Sequence, residues 1–257
     1  MIDEEELRRR QTASQRAFYR AMASGSPGAS LLELQGVQAT LVPVREWFSI
    51  FNSVFYDDPG DLERAQAALT RAYDAAGIKA WTVWVPPHEL RAATMLQRRG
   101  HALDSTPMLF AAPIDALDLQ PRIDLDLDLD LDPSWERVAR VNDRAHGVLE
   151  PWTMAAVFST MRDPASHLHV ARKDSEAIAA LIAREHEGDC YFWFVATVPE
   201  AQRKGTASEL IRHALREARR RGCSTSTLES TMVAETMYRR LGYGALGRYE
   251  MWEARTT

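Results

Sequence analysis

The chain has 257 residues, 46% of them hydrophobic and 26% charged, which suits one large or two ordinary soluble domains. A formal net charge of -5 argues against the overall basic field of a nonspecific nucleic-acid binder. Asp3-Glu4-Glu5-Glu6 before Arg8-Arg9-Arg10 has the wrong charge order for a signal peptide, and the apolar run 177–183 is too short to span a bilayer. The expectation is a cytoplasmic protein without a membrane partner, in which Cys190 and Cys223, lacking CxxC spacing, stay reduced and structural.

Taken in chain order, the hydrophobic pattern predicts a helix over 4–23, strands near 31–44 and 47–56, and a helix over 62–76. A strand over 81–85 and a helix ending at Gly100 follow. The connector 113–132 carries Ile123-Asp124-Leu125-Asp126-Leu127-Asp128-Leu129-Asp130-Leu131-Asp132, which alternates apolar and acidic residues at period two. A calcium tract would need glycine turns that are absent here, so the tract reads as a half-buried strand whose outer charges discourage edge pairing. Asp132-Pro133 suits an N-cap and first turn for a helix through 145. A polar and aromatic stretch, 147–163, leads to strands at 167–172, 177–184 and 191–198. A helix over 208–221 then places Leu210, Ile211, Ala214, Leu215 and Ala218 on one face and its arginines on a solvated face.

The chain also repeats itself. Residues 92–101 align with 234–243 at an offset of 142, and five of the ten positions are identical, among them Gly100 and Gly242. With the flanking helices and strands this predicts two copies, residues 1–115 and 116–257. The second copy holds the more informative segment, Pro199-Glu200-Ala201-Gln202-Arg203-Lys204-Gly205-Thr206-Ala207, between an apolar strand and an amphipathic helix. Small residues let such a loop curl, and successive N–H groups at a helix start can grip a pyrophosphate.

Pro199-x-x-Gln202-x-x-Gly205-x-Ala207, then a helix ending at Gly222, a strand, and Ala234-x-x-Met237-Tyr238-x-x-x-Gly242-Tyr243 resembles the GCN5-related N-acetyltransferase (GNAT) family. The likeness covers 120–257 well and 30–112 faintly. It implies an α/β fold of two tandem GNAT domains, each a mixed, mostly antiparallel sheet flanked by helices, and an acyltransferase moving acetyl from acetyl-CoA to a primary amine. By resemblance the loop Gln202, Arg203, Lys204, Gly205, Thr206 and Ala207 wraps the pyrophosphate. Val195, Thr197 and Val198 would meet the pantetheine arm, with backbone contacts expected from Thr197 and Val198. Tyr238 would protonate the departing thiolate. Other implied readings are a mycothiol-synthase-like acetyltransferase and a non-catalytic acyl-CoA sensor; the oligomer is expected to be a monomer or homodimer.

Three departures limit the transfer. Thr231 stands where many members have asparagine, and Tyr191 where some carry a glutamate base. Arg203 replaces a frequent glycine. Glu229, Glu185, Glu187 or Glu150 could supply the base, each reading first as a surface carboxylate. In the first copy an offset of 145 sets Gly60 opposite Gly205, with Asp57, Asp58, Pro59 and Asp61 around it and Leu96 in the place of Tyr238. Such a site would repel a pyrophosphate and lack the acid. His167 and His169 on one strand face are too few for a metal site, and Glu150-Pro151-Trp152 with Phe158 fall where the family's acceptor pocket often lies.

Overall fold

The computed structural model describes residues 2–121, 128–129, 133–148 and 153–255. Helix α1 (Glu4–Gly25) opens with Asp3 accepting from the Glu6 N–H at 2.9 Å and with three glutamates in its first turn, where the helix dipole favours them. Leu7, Gln11, Ser14, Gln15, Phe18, Tyr19 and Met22 recur at three- and four-residue spacing and form its buried face. The hairpin β1 (Ser30–Leu34) and β2 (Val37–Leu41) turns at Gly36, whose φ of 66° suits a residue without Cβ. Next come β3 (Ser53–Tyr56), α2 (Pro59–Ala75), β4 (Ala80–Val85), α3 (Leu90–Arg98), β5 (Ala102–Ser105) and β6 (Met108–Pro113).

The second half brings β7 (Asp128–Leu129), α4 (Trp135–Ala145), α5 (Thr153–Phe158), β8 (Ser166–Lys173), β9 (Glu176–His186) and β10 (Asp189–Thr197). It finishes with α6 (Thr206–Arg220), β11 (Thr225–Ser230), α7 (Glu235–Leu241), β12 (Gly244–Arg248) and β13 (Glu250–Arg255). The series β1-β2-β3-α2-β4-α3-β5 therefore recurs as β8-β9-β10-α6-β11-α7-β12, as the internal repeat predicts. Gly100 and Gly242 both adopt positive φ, 85° and 102°, beyond the C-terminal ends of α3 and α7.

Two mixed sheets result. The first runs β1-β2-β3-β4-β13-β5 and the second β12-β6-β11-β10-β9-β8-β7. Each half thus lends its last strand to the other: β6 pairs with β11 and β12, and β13 with β4 and β5. The boundary between 115 and 116 does not coincide with the boundary between sheets.

Several expectations shift in detail. The cap of α4 is Ser134, which accepts from Arg137 N–H at 3.2 Å; Asp132 lies outside the described residues, as does most of the alternating tract. Of that tract, Asp128 and Leu129 pair with Arg172 and Ala171 on β8. The arginine face of α6 is not simply solvated. Arg212 is buried, donating to the Asp118 carbonyl at 3.2 Å, while Arg216 donates to the Leu119 carbonyl at 2.8 Å and Arg219 pairs with Asp115 at 2.9 Å. These arginines tie the connector to the second half. Cys190 and Cys223 are unpaired and buried, and burial raises both thiol pKa values.

Side chains from both halves fill one core under α1. Phe18 and Tyr19 on α1 both meet Trp193 from the second half, Tyr19 also meets Trp84 from the first, and Phe51 and Phe158 pack on Trp193. Full burial of each such ring contributes about 1.5–3 kcal/mol. On the far face of the second sheet, a separate cluster joins Phe192 and Leu228 to the apolar stripe of α6 and to Tyr238 and Leu241 of α7.

Candidate active site

β10 and β11 run parallel and pair in register from Asp189↔Thr225 to Phe192↔Leu228, and there the pairing stops. A bulge between Trp193 and Ala196, with Phe194 at φ 50°, turns the rest of β10 away from β11, while Ala196 and Thr197 stay paired with Ala180 and Ala179 on β9. A gap opens between the two strand ends. Val198 N–H donates to the Ile178 carbonyl at 3.0 Å and so is committed to the β9 side. Alternation along the strand leaves Thr197, and not Val198, with its backbone edge toward the gap. Val195 and Thr197 are half-buried there.

The loop after β10 begins as a 3-10 turn, Pro199–Ala201, and the Gln202 amide reaches back to the Thr197 carbonyl at 3.0 Å. Gln202 therefore braces the loop. Arg203 and Gly205 take positive φ, 60° and 85°, and Gly205 caps α6 with no side chain to satisfy the helix start. Backbone N–H groups of residues 203–208 make no hydrogen bond among the described residues. Arg203 and Lys204 are exposed beside them, and Thr206 is buried with its hydroxyl toward the Ala201 carbonyl at 3.4 Å. This cluster of unpaired donors at the positive end of a helix fits a diphosphate, and the gap beside Val195 and Thr197 fits an extended arm attached to it.

Tyr238, on α7, is 3% exposed and packs against Phe110 at 5.7 Å and Tyr243 at 5.8 Å between ring centroids. Tyr243 is satisfied by Ser226 at 2.8 Å, whereas the Tyr238 hydroxyl has no partner among the described residues. Burial pushes its pKa up, so it stands as a neutral donor near pH 7.

The four carboxylates differ sharply. Glu185 pairs with Arg221 at 2.6 Å and Glu187 with Arg9 at 3.7 Å, as surface residues do, and Glu150 lies outside the described residues with Trp152. Glu229 departs from the surface reading. It sits near the end of β11 beneath α1, accepting from the Tyr191 hydroxyl at 2.5 Å and from Gln11. Burial raises its pKa from 4.5 to about 7, against the opposing effect of those two hydrogen bonds. A carboxylate therefore stands beside position 191, on the neighbouring strand. The signal lies in the chain as Glu229 two residues after Thr227, the residue beside Tyr191, but only the parallel register of β10 and β11 brings them together.

The first half differs more than the aligned residues suggest. Only Asp57 and Asp58 separate β3 from α2, whereas eight residues, 198–205, separate β10 from α6, so the offset of 145 does not describe an equivalent loop. Gly60 is already inside α2, and the Asp58 carboxylate accepts its N–H at 2.7 Å. Asp57 pairs with Arg16 at 2.6 Å, Asp61 with Arg64, and Leu96 is fully buried on α3. That helix start is closed by its own side chain. Elsewhere, His169 lies 5.6 Å from His213 between ring centroids, and no cluster of three or more metal-ligating side chains occurs among the described residues. No described helix is long and apolar enough to cross a membrane.

A parallel strand pair that parts at a bulge, followed by a loop of free N–H groups, is the arrangement that the resemblance to acyltransferases implies. Residues 131–243 match the acetyltransferase (GNAT) family model. Solved structures agree in fold across both halves. A GCN5-related N-acetyltransferase from Kribbella flavida is 18% identical, with 96% of each chain covered and a TM-score of 0.70. A tandem GNAT protein from the clavulanic acid biosynthesis pathway is 13% identical over 96% of this chain and 95% of its own, with a TM-score of 0.61. A GCN5-related N-acetyltransferase from Sphaerobacter thermophilus is 15% identical over 87% and 82%, with a TM-score of 0.59. A search of curated protein sequences finds no match.

Proposed function

We propose that the chain transfers an acetyl group from acetyl-CoA to a primary amine of a small molecule or peptide, by direct attack within a ternary complex in the second half. The observation that carries this reading is the conjunction, within one strand-loop-helix segment, of the parted strand edge at Val195 and Thr197 with the unpaired N–H groups of residues 203–208. Bound there, acetyl-CoA supplies an already activated thioester, and the chain's task is placement and proton handling. Arg203 and Lys204 add positive charge beside the loop.

Glu229 is the base in this scheme. With a pKa of about 7 it is partly ionised at neutral pH and takes a proton from the amine nitrogen as the nitrogen–carbon bond forms. Tyr191 and Gln11 hold the carboxylate in place. Tyr238 gives its proton to the sulfur as the carbon–sulfur bond breaks, and a neutral phenol is the form that can do so. An acetylation assay over a panel of amines, run beside a CoA binding measurement, tests the proposal. Turnover on at least one amine is expected; tight CoA binding without turnover on any of them marks a sensor instead.

A further inference from the structure

The Glu229 carboxylate is completed from outside the second half. Among the described residues two side chains donate to it, from different directions. Tyr191 gives its hydroxyl from the adjacent strand at 2.5 Å, and Gln11 gives its amide from α1, ahead of the whole first sheet. The base proposed for one half thus takes one of its two partners from the helix that opens the other.

Gln11 is fully buried, and every hydrogen-bonding position of its amide is used. Nε2 donates to Glu229 and to Gln15 Oε1, the latter at 3.3 Å, while Oε1 accepts from the Tyr249 hydroxyl at 3.0 Å and the Thr12 hydroxyl at 3.4 Å. Turned over, the amide would set its oxygen against the carboxylate with no proton between them. The direction matters, because an N–H aimed at a carboxylate favours the ionised form.

The helix that carries Gln11 is pinned on either side of it. Arg10 donates to Ser224 at 3.0 Å, and Ser14 donates at 2.8 Å to the buried Asp189, which also accepts from Thr225 and Thr227. The other groups that face Glu229 do not replace the amide. Asp189 and Tyr191 on β10, Tyr19 on α1 and Tyr249 ahead of β13 carry no positive charge, and Asp189 opposes the ionised form. Leu109, opposite Glu229 on β6, is apolar.

We propose that Gln11 is a positioning residue for acyl transfer: an amide of the first half, braced by Tyr249, that holds the Glu229 carboxylate of the second in its working orientation. The proposal rests on the reading of Glu229 as the base. It gives the half without a diphosphate loop a part in the chemistry of the half that has one.

The test uses the full chain with carbon-13 at its glutamate carboxyls. The Glu229 signal, assigned by its loss in Glu229→Gln, is titrated without substrate by NMR, and kcat/KM is measured against pH on an amine that the parent acetylates. Gln11→Met keeps the length of the side chain and removes the amide. The Glu229 midpoint should rise by about one pH unit and the rising limb of kcat/KM should move with it, so that the rate falls about fivefold at pH 7 and recovers at higher pH. A loss of packing alone would lower the rate at every pH alike. Tyr249→Phe leaves the donor in place and removes only its brace, so it should move both quantities in the same direction by less. The proposal is overturned if the midpoint in Gln11→Met stays where the parent has it, or if it moves and the rate profile does not follow. Should Gln11→Met fail to fold, an unmoved midpoint in Tyr249→Phe overturns it instead. A parent that acetylates no amine overturns the acyl-transfer reading and this one with it, whereas an active parent whose Glu229 ignores Gln11 overturns this one alone.

Discussion

Glu229 sits where two opposing effects meet, and the larger one sets its chemistry. Hydrogen bonds from Tyr191 and Gln11 favour its ionised form, but burial disfavours that form more and leaves its pKa near 7. As the proposed base it must be ionised, so kcat/KM should rise with pH through about 7 and level off above it. Glu229→Gln should lower the rate on the order of 100-fold or more and remove that rising limb, as a pH-rate profile would report. Stability carries the opposite sign. A carboxyl whose folded pKa lies above its unfolded value of 4.5 stabilises the fold fully below that value, and the contribution is lost as pH rises through about 7. Asp189, also raised by burial despite accepting from Ser14, Thr225 and Thr227, adds to the same slope. Urea unfolding at pH 5 and pH 8 should therefore show a smaller difference for Glu229→Gln than for the parent. Tyr238→Phe removes only a hydroxyl without a partner, so turnover should fall by about 100-fold or more with CoA affinity nearly unchanged in single-turnover and titration experiments.

The difference between the two halves is one of connection length. β10 reaches α6 through eight residues, among them a bracing Gln202 and a left-handed Gly205, while β3 reaches α2 through two, ending in an aspartate cap. Gly205→Val forces a β-branched residue to a φ of 85° and should weaken CoA binding at least tenfold in a titration, while Asp58→Ala should leave CoA binding alone and cost about 1 kcal/mol of stability through the lost cap. The loop was legible in the sequence because its glycine, its proline and the apolar runs on either side are local signals. So were the helices and the duplication, since both rest on short-range periodicity. The closed helix start of the first half was misaligned, because gap lengths between weakly similar copies are not visible in residue identities. Glu229 was one of four equal candidates for a similar reason: its burial comes from α1, more than 200 positions away in the chain, and from the register of a parallel pair. Arg212 looked like one more surface arginine until the connector carrying Asp118 was folded against it.

At the scale of the whole molecule the two copies are not independent bodies. β6 and β13 cross into each other's sheets, and α1 covers a core that draws Phe51, Trp84, Phe158 and Trp193 from both. Neither 1–115 nor 116–257 contains a complete sheet, and no composition or spacing signal announces such an exchange, because β6 and β13 look like ordinary terminal strands. Calorimetry should give one unfolding transition rather than two. Ending the chain after Tyr249 removes β13 from between β4 and β5, and should abolish cooperative unfolding of the first sheet as followed by amide hydrogen exchange. The central claim concerns where an acyl carrier is held. A crystal structure of the full chain with CoA bound tests it most directly: the diphosphate should rest on the N–H groups of residues 203–208, with the arm along Val195 and Thr197 and the sulfur between Tyr238 and Glu229. A diphosphate seated at the start of α2, or an arm that leaves the gap between β10 and β11 empty, would contradict the account.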